Sequence, residues 1–213
     1  MQGVEKIVKK DKITEIRLYT PEHKNSFFMQ MVCFLFYALQ SFYYSYKFSN
    51  KYDVVFSTSS RLGTGLLGSI ISKVFNKKFT LDIRDVFSDS LKSLTAFNTF
   101  FGKIFVKLIK KIESIICMKS SWLNFVSPGF LKYPHINPTN KKINLFTNGI
   151  DSIFLENPAH HLRTINSPIV ITYAGNIGYG QGLEKTVIPI AEYFKNDILF
   201  KLVGDGSSVD FIK

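Results

Sequence analysis

Short apolar runs alternate along the chain with longer segments whose apolar residues recur at helical spacing. The runs are rich in β-branched and aromatic residues and end in small polar residues or glycine, which predicts buried strands. The predicted strands are 13–19, 52–59, a segment ending at 83, 122–127, a segment ending near 148, 169–173 and 198–204. The predicted helices are 26–48, 63–75, 101–120 and 183–194. This alternation is typical of an α/β fold with a parallel sheet.

Two of the predicted helices have unusual surfaces. In 26–48 the polar positions, among them Gln30, Ser41 and Ser45, form only a narrow stripe. Three interpretations fit: a core or interdomain helix, contact with a membrane or lipid substrate, or a membrane span. The longest unbroken apolar run, 31–39, is shorter than the roughly 20 residues that a span needs. In 101–120, Ile104, Leu108, Ile112 and Ile115 share one face, and most lysines lie elsewhere.

Charge narrows the class of partner. The 213 residues carry a formal net charge of +11, which favours nucleic acid, an acidic membrane surface or a phosphorylated ligand. The lysines follow amphipathic helices and loops without a recognisable reading module, so we do not expect nucleic-acid binding. Cys33 and Cys117 stand in apolar surroundings and lack metal-ligand spacing, which predicts buried, reduced thiols and no metal. The first residues contain no apolar core of signal-peptide length, which predicts a cytoplasmic protein.

In open parallel sheets, ligands bind beyond the carboxyl ends of the strands. The clearest such position follows strand 169–173, where glycines cluster in "AGNIGYGQGLE" before a helix. The turn matches neither the dinucleotide fingerprint nor a Walker loop. Its chemistry is a backbone nest at a helix amino terminus, able to hold a phosphate without a metal. A plain tight turn explains the same glycines equally well.

A second strand end carries "DIRD", residues 82–85. One interpretation is structural, with an internal Arg–Asp pair that holds a loop. The other is functional: Arg84 meets an anion, and Asp85 accepts a proton or a sugar hydroxyl.

Six segments in order resemble landmarks of family 4 glycosyltransferases, especially the bacterial subgroup that builds O-antigen lipopolysaccharide and capsule polysaccharide. They are "YDVVFSTS", "FTLDIRDVFSDSL", "FVSPGFLKY", "LFTNGID", "ITYAGNIGYGQGLE" and "LVGDGSS", covering about residues 50 to 213. The resemblance implies a GT-B fold, with two Rossmann-like domains, and retaining transfer from a nucleotide-sugar, usually without a metal or other cofactor.

The resemblance also implies roles for particular residues. The donor diphosphate would be held by two turns, comprising Gly175, Asn176, Gly178, Gln181 and Gly182 in the first and Gly204, Asp205 and Gly206 in the second. Arg84 and Asp85 would be catalytic, and Ser59 and Asn148 would lie on the acceptor side. Many relatives have Arg and Lys where Asn176 and Gln181 stand. Here the backbone, the helix dipole or residues elsewhere must therefore supply the positive charge.

The resemblance sets the expected domain organisation. We expect a partial Rossmann-like amino-terminal domain at 1–157, a linker at 158–168, and the start of a nucleotide-sugar-binding domain at 169–213. The family pattern extends further at both ends, with a glycine loop before and an E-x7-E motif after these residues. Two hypotheses follow. One is a transferase, peripheral on the inner face of the cell membrane, that uses a polyprenyl-linked or saccharide acceptor and docks on anionic lipid. The alternative is a non-catalytic fragment or subunit that needs another chain.

Overall fold

Two units make up the chain, Met1–Asn148 and Gly149–Lys213. The computed structural model describes residues 6–10, 12–21, 27–59, 62–92, 99–156, 168–178, 181–206 and 208–212. The predicted linker at 158–168 lies outside these residues except for Pro168. Each unit contains parallel strands and helices, so the predicted α/β class is confirmed.

The first unit begins with an antiparallel hairpin and a long helix. Strand β1 (Lys6–Lys10) pairs with β2 (Ile13–Arg17), and helix α1 follows at Phe27–Lys47. β2 and α1 match the predicted elements, whereas β1 was not predicted because its two apolar residues, Ile7 and Val8, are adjacent and show no alternation. No helix within the described ranges is long and apolar enough to cross a membrane.

A parallel four-stranded sheet forms the centre of the first unit. Its order is β3 (Val54–Ser59), β4 (Lys78–Ile83), β5 (Trp122–Phe125) and β6 (Ile143–Leu145). Helices α2 (Leu62–Val74), α3 (Phe87–Lys92) and α4 (Phe100–Lys119) and a 3-10 helix at Pro128–Lys132 connect the strands. Alternate residues of β4 and β5 pack with Ile116 and Cys117 of α4 into the main core, made by Phe79, Leu81, Ile83, Leu123 and Phe125.

Helix α2 lies directly on β3 because small residues meet at their contact. A Cβ at Gly68 would overlap the Ser57 Oγ, so only glycine allows this separation. The resulting close packing covers one face of the sheet along β3 and β4.

The buried side of α4 is shifted from the predicted apolar face. Val106, Ile109 and Ile116 are buried, together with Glu113, whereas Ile104 and Leu108 are exposed. Glu113 is accommodated on this buried side because Ser88 N and His135 Nε2 contact its two carboxylate oxygens. Thr99 caps the helix by accepting a hydrogen bond from Gly102 N at 3.1 Å.

The second unit contains a parallel pair of strands. Strand β7 (Ile169–Ala174) pairs in register with β8 (Ile198–Val203), so that Ala174 faces Val203 at the carboxyl ends. Helix α6 (Leu183–Phe194) connects them and packs on β8. Two short helices, α5 (Ile153–Glu156) and α7 (Val209–Ile212), were not predicted, since four residues are too few for a periodic pattern.

Candidate functional site

Arg84 and Asn148 come together at the carboxyl ends of the first unit's strands. Arg84 follows β4 and Asn148 follows β6, 64 residues later. Arg84 Nη1 donates to Asn148 Oδ1 at 2.9 Å, and Arg84 Nε donates to Asp82 Oδ2 at 2.9 Å. The bond between Arg84 and Asp82 is therefore the internal Arg–Asp pair of the structural interpretation of "DIRD". Because 48 % of the Arg84 side chain stays exposed, the cation also remains accessible to a ligand.

Asp82 is the buried centre of this strand-end network. Its second carboxylate oxygen, Oδ1, accepts from Asn124 Nδ2 at 2.5 Å. Asn124 in turn accepts from Phe146 N at 2.8 Å, which fixes the chain that leads from β6 to Asn148. A buried carboxylate needs such paired donors, so the network orients Arg84 and Asn148 before any ligand arrives. The sequence analysis included Asp82 in "DIRD" as one possible partner of Arg84, but it did not select Asn124, because a lone polar residue inside a strand gives no motif.

The structure separates Asp85 from Arg84. Ser90 Oγ donates to both Asp85 carboxylate oxygens at 3.4 Å, on the side of the sheet that α3 and α4 cover. There Asp85 and Ser59 line a small cavity of about 20 Å³ together with Cys117 and core residues. That volume suits a single water molecule and excludes a sugar. Burial, and next the nearby Glu113 carboxylate, raise the pKa of Cys117 to about 12.

Sequence reasoning also did not identify a cluster that is formed by Ser88, Glu113 and His135. Ser88 N donates to Glu113 Oε1 at 3.1 Å, and His135 Nε2 lies 3.0 Å from Glu113 Oε2 and 3.2 Å from Ser88 Oγ. In a hydrolase triad, the acid and the serine bind different ring nitrogens. Here both contact Nε2, so the cluster ties α3, α4 and the turn at His135 together and does not form a nucleophile relay.

The predicted donor residues of the second unit lie in two loops that interlock beyond β7 and β8. Gly175 N donates to Val203 O and Ile177 N donates to Asp205 O, both at 2.9 Å. A Cβ at Gly204 would overlap the Gly175 carbonyl oxygen, and one at Gly206 would overlap the Ile177 carbonyl oxygen. Glycine is therefore required at positions 204 and 206 for this contact.

The first loop leads into α6 through a glycine cap. Gly182 is the N-cap in the left-handed conformation (φ 60°, ψ 28°) and offers no side-chain cap. Asn176 Nδ2 donates to Gln181 Oε1 at 3.3 Å, and Gly178 lies beside this pair. The first turn of α6 thus keeps backbone N–H donors without a side-chain acceptor from its N-cap, which is favourable for an anion.

The charged side chains near these loops are mainly acidic. Asp205 Oδ1 accepts from Gly206 N at 2.7 Å, and Glu184 lies in the first turn of α6. Glu184 Oε2 and Ser208 Oγ are buried without a hydrogen-bond partner in the described part of the chain. In the described residues of the two loops, 175–178, 181–182 and 204–206, no lysine or arginine is present. An anion held there would depend on backbone dipoles and on Lys185 in the first turn of α6, the cation next to these loops in the sequence.

The chain matches no protein-family model and no curated protein sequence. Within the described ranges, no three His, Cys, Asp or Glu side chains lie close enough together to hold a metal ion.

Proposed function

We propose that this chain is a glycosyltransferase polypeptide of the family 4 type, which moves a sugar from a nucleotide-sugar to a lipid-linked or saccharide acceptor with retention. The observation that carries the proposal is the pair of interlocked glycine loops beside the side-chain-free N-cap of α6. Backbone N–H groups at such a position can stabilise the negative charge of a leaving diphosphate. In this proposal the second unit binds the donor.

The first unit supplies the acceptor side. Arg84 is held in place by Asp82 and Asn148, so its exposed guanidinium is preorganised to donate hydrogen bonds to a sugar hydroxyl. The Asp85 and Ser59 side chains lie on the other side of the sheet, and Arg84 N and Asp85 N both donate to Ser59 O, at 3.2 and 3.3 Å. Arg84 is therefore the stronger catalytic candidate of the two.

Exposed apolar groups and lysines on the helices of the first unit support peripheral docking on the anionic inner face of the cell membrane. On α4, Phe101, Ile104 and Leu108 are exposed in a helix that also carries Lys103 and Lys107. α1 exposes further aromatic and aliphatic side chains, namely Phe28, Met31, Leu35, Leu39, Tyr43 and Tyr46. Apolar insertion combined with lysine attraction to anionic lipid is the physical basis of interfacial binding.

A second candidate function is a subunit that becomes complete with another polypeptide. It is favoured by the exposure of apolar residues on both strands of the second unit, Ile169, Val170 and Ile171 on β7 and Leu199 and Val203 on β8. Parallel strands are normally covered on both faces. This candidate predicts donor binding without sugar transfer by the chain alone.

Calorimetric titration of the full chain with UDP, GDP, ADP and dTDP tests the proposal. We expect one of the four to bind, and Gly204→Ala to weaken it about tenfold or more, equivalent to about 1.4 kcal/mol. Gly149→Ala is the matched control, because a Cβ at Gly149 meets no atom within 4 Å. Binding that Gly204→Ala leaves unchanged, or no binding at all, contradicts the proposal. Transfer lost on Arg84→Ala supports an enzyme, whereas binding without transfer supports the subunit.

A further inference from the structure

The second face of the four-stranded sheet, opposite α2 and α4, carries an ordered set of polar and aromatic side chains. Register places Phe56, Thr80 and Trp122 side by side across β3, β4 and β5. The next level along the strands is a polar row that crosses the whole sheet, made by Thr58, Asp82, Asn124 and Asn144. We call these two rows, with Arg84 and Phe146 beyond them, the open face.

The open face forms a groove of about 340 Å³. That volume lies at the lower end of the range of about 300–1,000 Å³ typical of small-molecule sites. Three aromatic rings border the groove and remain exposed: Phe56 at 62 %, Trp122 at 45 % and Phe146 at 70 %. Lys78 Nζ lies 5.4 Å from the centre of the Trp122 ring and helps to hold that ring in place.

The polar groups of the groove divide into a fixed set and an unengaged set. Asp82, Asn124 and Arg84 bond to one another and form the fixed set. The amide of Asn144 and the hydroxyls of Thr58 and Thr80 have no side-chain hydrogen-bond partner among the described residues. Amides and hydroxyls of this kind both donate and accept, so they suit a ligand that does the same.

The chemistry of the groove disfavours two other occupants. A packed apolar helix would bury the amides and hydroxyls of the polar row without hydrogen-bond partners, which is unfavourable. A strongly anionic ligand would meet the Asp82 carboxylate, which already neutralises Arg84. A neutral ring that carries hydroxyls around its edge and C–H groups on its faces satisfies both the polar row and the aromatic rings.

We infer that the open face is a binding site for a neutral saccharide. Phe56 and Trp122 stack on the C–H face of a sugar ring, and the polar row, with Asn144 at its end, binds the ring hydroxyls. The site lies on the face of the sheet and uses the first unit alone, so it does not depend on nucleotide binding by the second unit.

Trp122 is the one tryptophan of the chain, so its fluorescence reports on this face directly. The full chain is titrated at millimolar concentrations with glucose, galactose, N-acetylglucosamine and maltotriose. We expect at least one of these sugars to change the emission of Trp122 in a saturable way. Asn144→Ala should weaken that sugar about threefold to tenfold, as expected for one lost hydrogen bond. Phe56→Ala should abolish the signal change.

Matched variants separate binding from folding. Asn140→Ala makes the same chemical change in the exposed turn before β6, and Phe101→Ala removes an exposed ring from α4, so both should leave the titration unchanged. Each variant is checked by far-UV circular dichroism. No saturable change with any of the four sugars overturns the inference. It is also overturned if uridine or sodium phosphate alone saturates Trp122, or if Asn140→Ala weakens sugar binding as much as Asn144→Ala.

Discussion

The two parallel sheets of the molecule have equally apolar strands and differ in what covers them. In the first unit, Leu123 is 0 % exposed because α4 and the two neighbouring strands, β4 and β6, enclose it. In the second unit, Ile171 is 39 % exposed although "IVITYA" is at least as apolar as "WLNF". The comparison teaches that local sequence determines whether a strand forms, whereas burial depends on how many other elements surround it. We therefore expect the first unit to be the more stable one.

The largest effect should come from truncating the enclosed core. Leu123→Ala leaves a cavity in the first unit and should lower its free energy of unfolding by about 2–5 kcal/mol. Ile171→Ala removes a half-exposed side chain and should cost less than about 1.5 kcal/mol. Urea unfolding followed by Trp122 fluorescence measures the first variant, and hydrogen exchange of β7 measures the second. Equal losses in the two units would contradict the comparison.

A pH effect should follow from the same burial. The pKa of Cys117 rises from 9.0 to about 12 in the folded state. Between these values the folded state binds more protons than the unfolded state, so the stability from this group is complete below pH 9 and falls as pH rises toward 12. Each pKa unit corresponds to about 1.4 kcal/mol. Urea midpoints measured across this pH range test the expectation, and Cys117→Ala should show a flatter decline. An identical slope in the variant would rule it out.

Glycine substitutions test the loops of the second unit. Gly204→Ala places a Cβ against the Gly175 carbonyl at a φ of +150°, so we expect a local loss of about 1–3 kcal/mol. Hydrogen exchange of β7 and β8 should accelerate, while that of β4 and β5 stays unchanged. Gly149→Ala is the control and should leave both units unaffected. Unchanged exchange of β7 and β8 in Gly204→Ala would show that the loops do not interlock in solution.

The smallest effect is expected at the exposed edge of the strand-end network. Asn148→Ala removes the acceptor of Arg84 Nη1, and water can replace it, so the free energy of unfolding should fall by only about 0.5–1.5 kcal/mol. Urea unfolding measures this loss, with Asn140→Ala as the matched amide control. A loss as large as that of Leu123→Ala would mean that the network and not the core stabilises the first unit.

The apolar pattern was sufficient to predict the main elements. β3, β4, β7 and β8 and helices α1, α2, α4 and α6 lie where alternation and helical spacing placed them, because each is long enough to show its period. The short helices α3, α5 and α7 were missed for the opposite reason, and strand β1, "KIVKK", was missed because it shows no alternation. The apolar face listed for α4 is not its buried side, and the hydrogen bonds of buried Glu113 to Ser88 and His135 depend on residues distant in sequence.

The sequence indicated at which positions candidate site residues lie, but it did not indicate which residues they contact. Strand-end positions directed attention to Arg84, Asn148 and the glycine loops, and the structure brings Arg84 and Asn148 within hydrogen-bond distance. The sequence analysis grouped Arg84 and Asp85 at one site. The structure places them on opposite sides of the sheet, as alternation of side chains along an extended chain predicts. The open face was missed because Thr58, Asp82, Asn124 and Asn144 become one row only after the strand register is known.

Hydrogen-exchange mass spectrometry with UDP, GDP, ADP and dTDP tests the central claim most directly, because it locates the diphosphate on the chain. The account predicts that at least one of them slows exchange in peptides covering 174–178, the first turn of α6 and 203–208. Peptides from β4 and β5 should not change. Protection confined to the first unit, or no protection with any of the four, would contradict donor binding by the glycine loops.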